Sequence, residues 1–271
     1  MIIEIKDDFD LKKIADSGQC FRWQPIENDG YRIIHRDKCL CIYKKGEHSY
    51  ELDCTEDEYL SVWSTYLDLT EDYESIRKRI DKVSDPFLYE AAEHELGIRI
   101  LRQDPWEALI SFIISQNRNI PAIKASIEKL CEKAGVCQED KRGEVYYTFP
   151  TPQAIADMNE EDMAYCKLGY RDKYIMRFAK SVVDKTIDLN GLNVGTDDEV
   201  LKGLTGIYGV GKKVASCMLL FGFHRLDAFP IDVWIKRVLE SEYNNQYPFE
   251  LYSPYNGVYQ QYMFAYYRNK Q

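Results

Sequence analysis

The chain has 271 residues, 45% of them hydrophobic, and no apolar run that reaches the length of a membrane-spanning helix. That is enough for one large or two modest domains, each with its own core. A formal net charge of −10 argues against a generic polyanion binder, although a local basic face remains compatible with it. The amino terminus, Met1-Ile2-Ile3-Glu4-Ile5-Lys6-Asp7-Asp8, turns acidic at once and carries no secretory signal. Eight cysteines in that context read as reduced thiols, so the protein is expected not to be secreted, and to be cytoplasmic and nucleoid-associated if prokaryotic.

Residues 1–86 read as a mixed α/β domain. Ile2–Ile5 is a candidate first strand. Phe21–Gln24 and Tyr31–Ile34 flank the turn signal Asn28-Asp29-Gly30, a hairpin pattern. Cys39–Tyr43 and Tyr50–Leu52 continue the meander, and helices are expected over Glu56–Tyr66 and Tyr73–Val83. Cys39 and Cys41 share one strand face without a third ligand, and no role follows from them.

Residues 87–271 are expected to be helical. The apolar run Trp106–Ser115 reads as a central buried helix. It ends in Ser115-Gln116-Asn117-Arg118-Asn119, and Pro121 begins the next helix, through Leu130. Thr151-Pro152 and Asn159-Glu160 mark further helix starts, and Asp172–Val183 is amphipathic. The last helix is expected over about Asn256–Tyr267.

The most informative stretch is Gly203–Asp232. Thr196 with Glu199 forms a capping box that starts a helix. Gly206, Gly209 and Gly211 then break helicity, and a second helix starts near Lys212. Such a hairpin, at about 203–213, presents free N–H groups at a helix N-terminus, a place for a phosphate. Lys213 in the first turn is disfavoured as a cation by the helix dipole. Burial would favour its neutral, nucleophilic form further. Cys217 lies one turn along on the same face. The run Gly206–Lys213 approaches a phosphate-loop motif, but it lacks the closing Ser or Thr and follows a helix instead of a strand, which rules out a nucleoside triphosphate site. On this stretch alone, a helix-hairpin-helix that only grips DNA is an equal reading. Asp232, closing Pro230-Ile231-Asp232 ahead of an apolar helix, is either an N-cap or a catalytic carboxylate.

Hairpin, lysine and aspartate in this order resemble the helix-hairpin-helix (HhH-GPD) DNA glycosylases. Along nearly its whole length the chain resembles their 8-oxoguanine branch. The matching segments are Ser17–Trp23, Leu101–Pro105, Ser111–Ile113, Ser115–Ile120, Leu168–Arg171, Gly209–Cys217, Pro230–Asp232, and Gln260 with Phe264. The resemblance implies an α+β fold: an N-terminal TATA-binding-protein-like antiparallel sheet domain beside a two-lobed all-helical HhH-GPD domain. It implies a monomer, with no cofactor, that excises 8-oxoguanine flipped out of duplex DNA and nicks the strand.

The resemblance also assigns roles. Lys213 would attack the sugar C1′ and Asp232 would assist. The Gly18 carbonyl would accept the N7–H that 8-oxoguanine has and guanine lacks. Cys217 and Phe264 would sandwich the purine, Gln260 would bind its Watson–Crick edge, and Phe221 falls at a matching helical position. Asn117 would fill the gap left by the base, Tyr170 would wedge beside it, and Arg171 would contact the opposite cytosine. Gly209, Gly211 and Lys212 would hold the DNA backbone. No metal is required, though the carbonyls of Thr205, Ile207 and Val210 could hold a monovalent cation.

Two departures stand out. Ala122 occupies the position of a second cytosine-reading arginine in the eukaryotic enzymes, which predicts weaker opposite-base discrimination. Trp234 replaces a phosphate-binding histidine. No cysteine follows Cys217, so the iron–sulfur site of related branches is absent. A monofunctional alkylpurine glycosylase using Asp232 and water is the alternative enzyme.

Overall fold

The structure, a computed structural model, describes residues 1–270. Its first part is a five-stranded antiparallel sheet: β1 (Ile2–Glu4), β2 (Trp23–Ile26), β3 (Gly30–His35), β4 (Lys38–Lys44) and β5 (Ser49–Leu52), in the spatial order β1-β5-β4-β3-β2. The turn expected at Asn28-Asp29-Gly30 joins β2 to β3. Asn28 and Asp29 take φ of 60° and 53°, the left-handed pair that a tight hairpin requires and that these two residue types tolerate. Ile33 pairs with Leu40, so one face of the sheet carries Trp23, Ile33, Leu40, Ile42, Tyr50 and Leu52 into a core shared with Trp63 and Tyr66. Helix α1 (Leu11–Asp16) closes this core with Ile14, and Asp10 caps it by accepting the Lys13 N–H. Sequence patterning did not predict α1.

The larger core belongs to the helices. At its centre lies α2 (Pro105–Ser115), with every side chain from Glu107 to Ile114 buried. The same core is built from α3 (Ile120–Ala134), α4 (Arg171–Val183), α5 (Asp197–Thr205), α6 (Lys212–Cys217), α7 (Val233–Ser241) and α8 (Asn256–Asn269). Start signals account for the boundaries: Asp104 before Pro105, and Asn119 before Pro121, each accept a backbone N–H from the first turn.

Two expectations need correction. The helix predicted over Tyr73–Val83 stops at Lys78. The carboxyl-terminal part is not all helical, because Cys137–Glu139 pairs with Val145–Tyr147 as a short hairpin. The two cores interleave in sequence: Phe21, Tyr73, Ile76 and Ile80 join the helical core, and Leu101 joins the sheet core.

Polar side chains fix the sheet to the helices. Arg22 pairs with Glu128 at 2.9 Å and donates to the Tyr147 carbonyl at 2.7 Å. Arg99, fully buried, donates to the Asp7 carboxylate and to the carbonyls of Asp8, Asp68 and Glu71. Only its Nε is left without a partner, and a buried guanidinium whose two Nη groups are bonded in this way holds its surroundings in one arrangement. Among the described residues no helix is long and apolar enough to cross a membrane.

Candidate active site

The hairpin forms where the glycines predicted it. The capping box opens α5, with the Thr196 N–H on the Glu199 carboxylate at 2.8 Å. After Gly206 the chain turns through Ile207–Val210, closed by the Val210 N–H on the Ile207 carbonyl at 3.0 Å. Gly209 has φ +88°, and a Cβ there would overlap the Tyr174 ring. Only glycine satisfies both conditions. Gly211 differs: its φ of −85° is ordinary and a Cβ would meet nothing within 4 Å. That open space lies where a ligand backbone could approach the start of α6. The N–H groups of the first turn have no side-chain cap there, because Gly211 is the N-cap. Lys212 is exposed beside them. The Thr205 and Val210 carbonyls accept no hydrogen bond among the described residues, while that of Ile207 takes the Val210 N–H.

Lys213 is the second residue of α6 and is exposed. The burial weighed for it is therefore not found in the free chain. Its side chain lines a cavity of about 240 Å³ together with Phe112, Ser115, Gln116, Asn117, Gly211, Val214 and Cys217. Asp232 caps α7, its Oδ1 accepting the Trp234 and Ile235 N–H groups at 2.9 Å each, while Oδ2 has no protein partner. Burial pushes the Cys217 thiol up to about 12, the Lys213 charge opposes this and the Asp232 charge adds to it. Cys217 thus sits within the electrostatic reach of both, as a neutral thiol in the cavity wall.

Asn117, with φ +51°, projects from the turn after α2 and is exposed. It does not cap α3; Asn119 does. Its Nδ2 stands 3.5 Å from the hydroxyl of Tyr170, which is half-exposed. Arg171 is not free at this surface. It is buried, donates to the carbonyls of Leu168 and Gln116, lies against the Tyr170 ring at 4.4 Å, and leaves Nε without a partner. Contact with an opposite base requires it to leave those carbonyls.

The remaining predicted residues fall into two groups outside the cavity. Gly18, with φ +79°, lies against the half-buried Phe264. Gln260 is buried, donating to the Pro230 carbonyl at 3.0 Å and accepting from Gln261. As it stands, Gln260 braces the loop leading to Asp232. Phe221 is buried and stacks on Phe112, a residue of the cavity wall, at 5.6 Å. Beyond Cys217 the helix widens to a π-turn over Met218–Gly222, with the Phe223 N–H on the Met218 carbonyl, so α-helical spacing no longer applies.

Sequence reasoning missed three positioning residues. Gln19 is fully buried, donates to Ser17 Oγ and the Arg99 carbonyl, and accepts the Leu101 N–H at 2.8 Å, which fixes the backbone on either side of Gly18. Gln116 donates to the Gly209 carbonyl at 3.1 Å and ties the end of α2 to the hairpin. Tyr174 fills the space beneath Gly209, edge-on to both Tyr170 and Tyr208. Gln19 and Gln116 lay within the matching segments, but an amide in a loop announces no partner; Tyr174 carries only a helical period.

Residues 1–109 match the family described as 8-oxoguanine DNA glycosylase, N-terminal domain, and residues 110–246 match the HhH-GPD superfamily of base excision DNA repair proteins. Among solved structures, the chain is similar to a Clostridium acetobutylicum 8-oxoguanine glycosylase/lyase in complex with duplex DNA containing cytosine opposite 8-oxoguanine. The TM-score is 0.89 and the identity 36%, over 100% of this chain and 98% of that one. It is likewise similar to MBOgg1 in complex with a low affinity DNA ligand: TM-score 0.93, 38% identity, 99% of this chain and 95% of that one. An N-glycosylase/DNA lyase of Saccharomyces cerevisiae is 28% identical, over 93% of this chain and 74% of its own.

Proposed function

Because the chain belongs to the 8-oxoguanine DNA glycosylase branch of the HhH-GPD superfamily, we propose that it is a bifunctional glycosylase and β-lyase. Its substrate is 8-oxoguanine extruded from duplex DNA. The observation that carries this reading is Lys213 opening into one cavity with Cys217 and Asn117, while the Asp232 charge bears on the same thiol.

In the reaction, the Lys213 amine adds to C1′ as the C1′–N9 bond breaks. The bonding pair leaves with the base, which is then protonated. Loss of the lysine proton and opening of the sugar ring give a Schiff base. Removal of a C2′ proton expels the 3′ phosphate and cuts the strand. Lys213 is exposed in the free protein, so the group that covers it in the reaction is the DNA itself. Asp232, through its unengaged Oδ2, stabilises positive charge developing on the sugar. The open approach at Gly211 and the uncapped N–H groups of α6 hold the flanking phosphate. Asn117 and Tyr170, side by side and exposed, occupy the gap in the duplex. Phe264 leaves its contact with Gly18 to stack on the base, and the Gly18 carbonyl reads N7–H.

Borohydride trapping tests this. Wild-type protein with an 8-oxoguanine duplex should give a covalent adduct, and Lys213→Gln should give none. An adduct that persists in Lys213→Gln, or base release without one, refutes the lysine mechanism.

A further inference from the structure

Arg268 is a residue without an assigned role that stands beside the proposed lesion reader. It lies on the last turn of α8, four residues beyond Phe264, and is half-buried. Its guanidinium sits 5.1 Å from the centre of the Phe264 ring and its Nη2 donates to the Asp16 carbonyl at 2.6 Å. A Cβ added to Gly18 would meet the Phe264 ring at 3.4 Å and Arg268 Nη1 at 4.0 Å. The space next to Gly18 is therefore bounded by an aromatic ring and a guanidinium. Nη1 and Nε of Arg268 have no acceptor, and no carboxylate pairs with Arg268 among the described residues. A cavity of about 270 Å³ adjoins the guanidinium, with Lys12, Lys124 and Asp16 in its wall, so the group has room to pivot about its Asp16 anchor.

8-Oxoguanine differs from guanine at two neighbouring ring positions. N7 gains a proton and C8 gains a carbonyl oxygen. If the Gly18 carbonyl accepts the first, the second lies on the same edge of the ring, one bond away. There the chain offers a cationic N–H donor with no partner among the described residues. We propose that Arg268 is a specificity-determining residue that donates from Nη1 to the C8 oxygen of the extruded base. The assignment rests on the glycosylase reading given above. Two lesion-specific atoms are then read by two groups of opposite polarity, a carbonyl for N7–H and a guanidinium for the oxygen. Guanine, with a bare N7 and a C8–H, satisfies neither, and the groups built to meet the lesion stay unpaired. A charge-assisted hydrogen bond of this kind is worth roughly a 10- to 100-fold preference.

The test separates a direct contact from support of the Phe264 ring. Single-turnover release of 8-oxoguanine and of 8-thioguanine is measured for wild type, Arg268→Met and Arg268→Lys. The thio base keeps N7–H but replaces the oxygen with a poor acceptor. Wild type should favour the oxygen base by about tenfold or more, Arg268→Met should bring the ratio close to one, and Arg268→Lys should restore part of it. Nicking of a pre-formed abasic duplex, which has no base to read, should be unchanged in Arg268→Met and certifies the fold. Equal slowing of both bases in Arg268→Met, with the ratio kept, overturns the proposal and leaves a packing role. A wild type that neither releases 8-oxoguanine nor nicks abasic DNA overturns the glycosylase reading itself.

Discussion

Replacing Glu107 with glutamine should stabilise the protein above neutral pH and leave it almost unchanged near pH 5. Glu107 stands in the first turn of α2, buried beneath the β3–β4 turn, where its Oε2 accepts the Arg36 N–H at 3.1 Å. Burial raises its carboxyl from 4.5 to about 7, against the opposing pull of the nearby Arg22 guanidinium. Between those values the folded chain holds a proton that the unfolded chain releases. Stability therefore falls as pH rises through that window and stays low above it. Two and a half pK units at about 1.4 kcal/mol each put the loss at roughly 3 kcal/mol. Glutamine keeps an oxygen for the Arg36 N–H and carries no charge to desolvate. Thermal unfolding should show Glu107→Gln gaining several degrees at pH 8, at about 2–4 °C per kcal/mol, and almost none at pH 5. Lesion excision should be unaffected, because the cavity lies at the other end of α2. A gap between variant and wild type that does not change with pH, or a variant less stable at pH 8, would refute the argument.

Asp232→Asn should keep the fold, because asparagine caps a helix as well as aspartate. If the carboxylate acts on the sugar, single-turnover base release should still drop by about 100-fold or more, as when a preorganised electrostatic partner is lost; full activity would leave Asp232 as a cap alone. Gly209→Ala forces a side chain into the left-handed region, at about 1–2 kcal/mol, and into the Tyr174 ring. Its melting temperature and DNA affinity should both fall, and adding Tyr174→Ala should recover part of the melting temperature. Excision opposite C, A, G and T should vary little, because Ala122 cannot supply an arginine–base contact of roughly 1–3 kcal/mol. A preference for C above about 100-fold would contradict this.

Much of the fold was legible because its signals are local. The Thr196–Glu199 box, Pro121 and the Asn28-Asp29 turn each act within four residues, and each element starts or turns where they stand. The order of Lys213, Cys217 and Asp232 was legible for the same reason. What escaped depends on the third dimension. Helix α1 is only six residues long, too short to show a period, and is held by Asp10 and its buried Leu11 and Ile14. The hairpin at Cys137–Tyr147 has three-residue strands and is anchored from outside by Arg32, which donates to the carbonyls of Glu144 and Val145. That Arg171 is buried and Lys213 open was not legible, because solvent access is decided by neighbours distant in sequence.

Gln19 carries a consequence for how such a protein can change. The proposed reading carbonyl of Gly18 hangs from the sheet half of the chain, yet an amide reaching across to Arg99 and Leu101 aligns it. The amine and carboxylate that would cut the sugar belong wholly to the helices. The carbonyl proposed to read N7–H thus stands on a different part of the chain from the amine and the carboxylate, and a change near residue 19 would shift that one contact while the cutting groups keep their own supports.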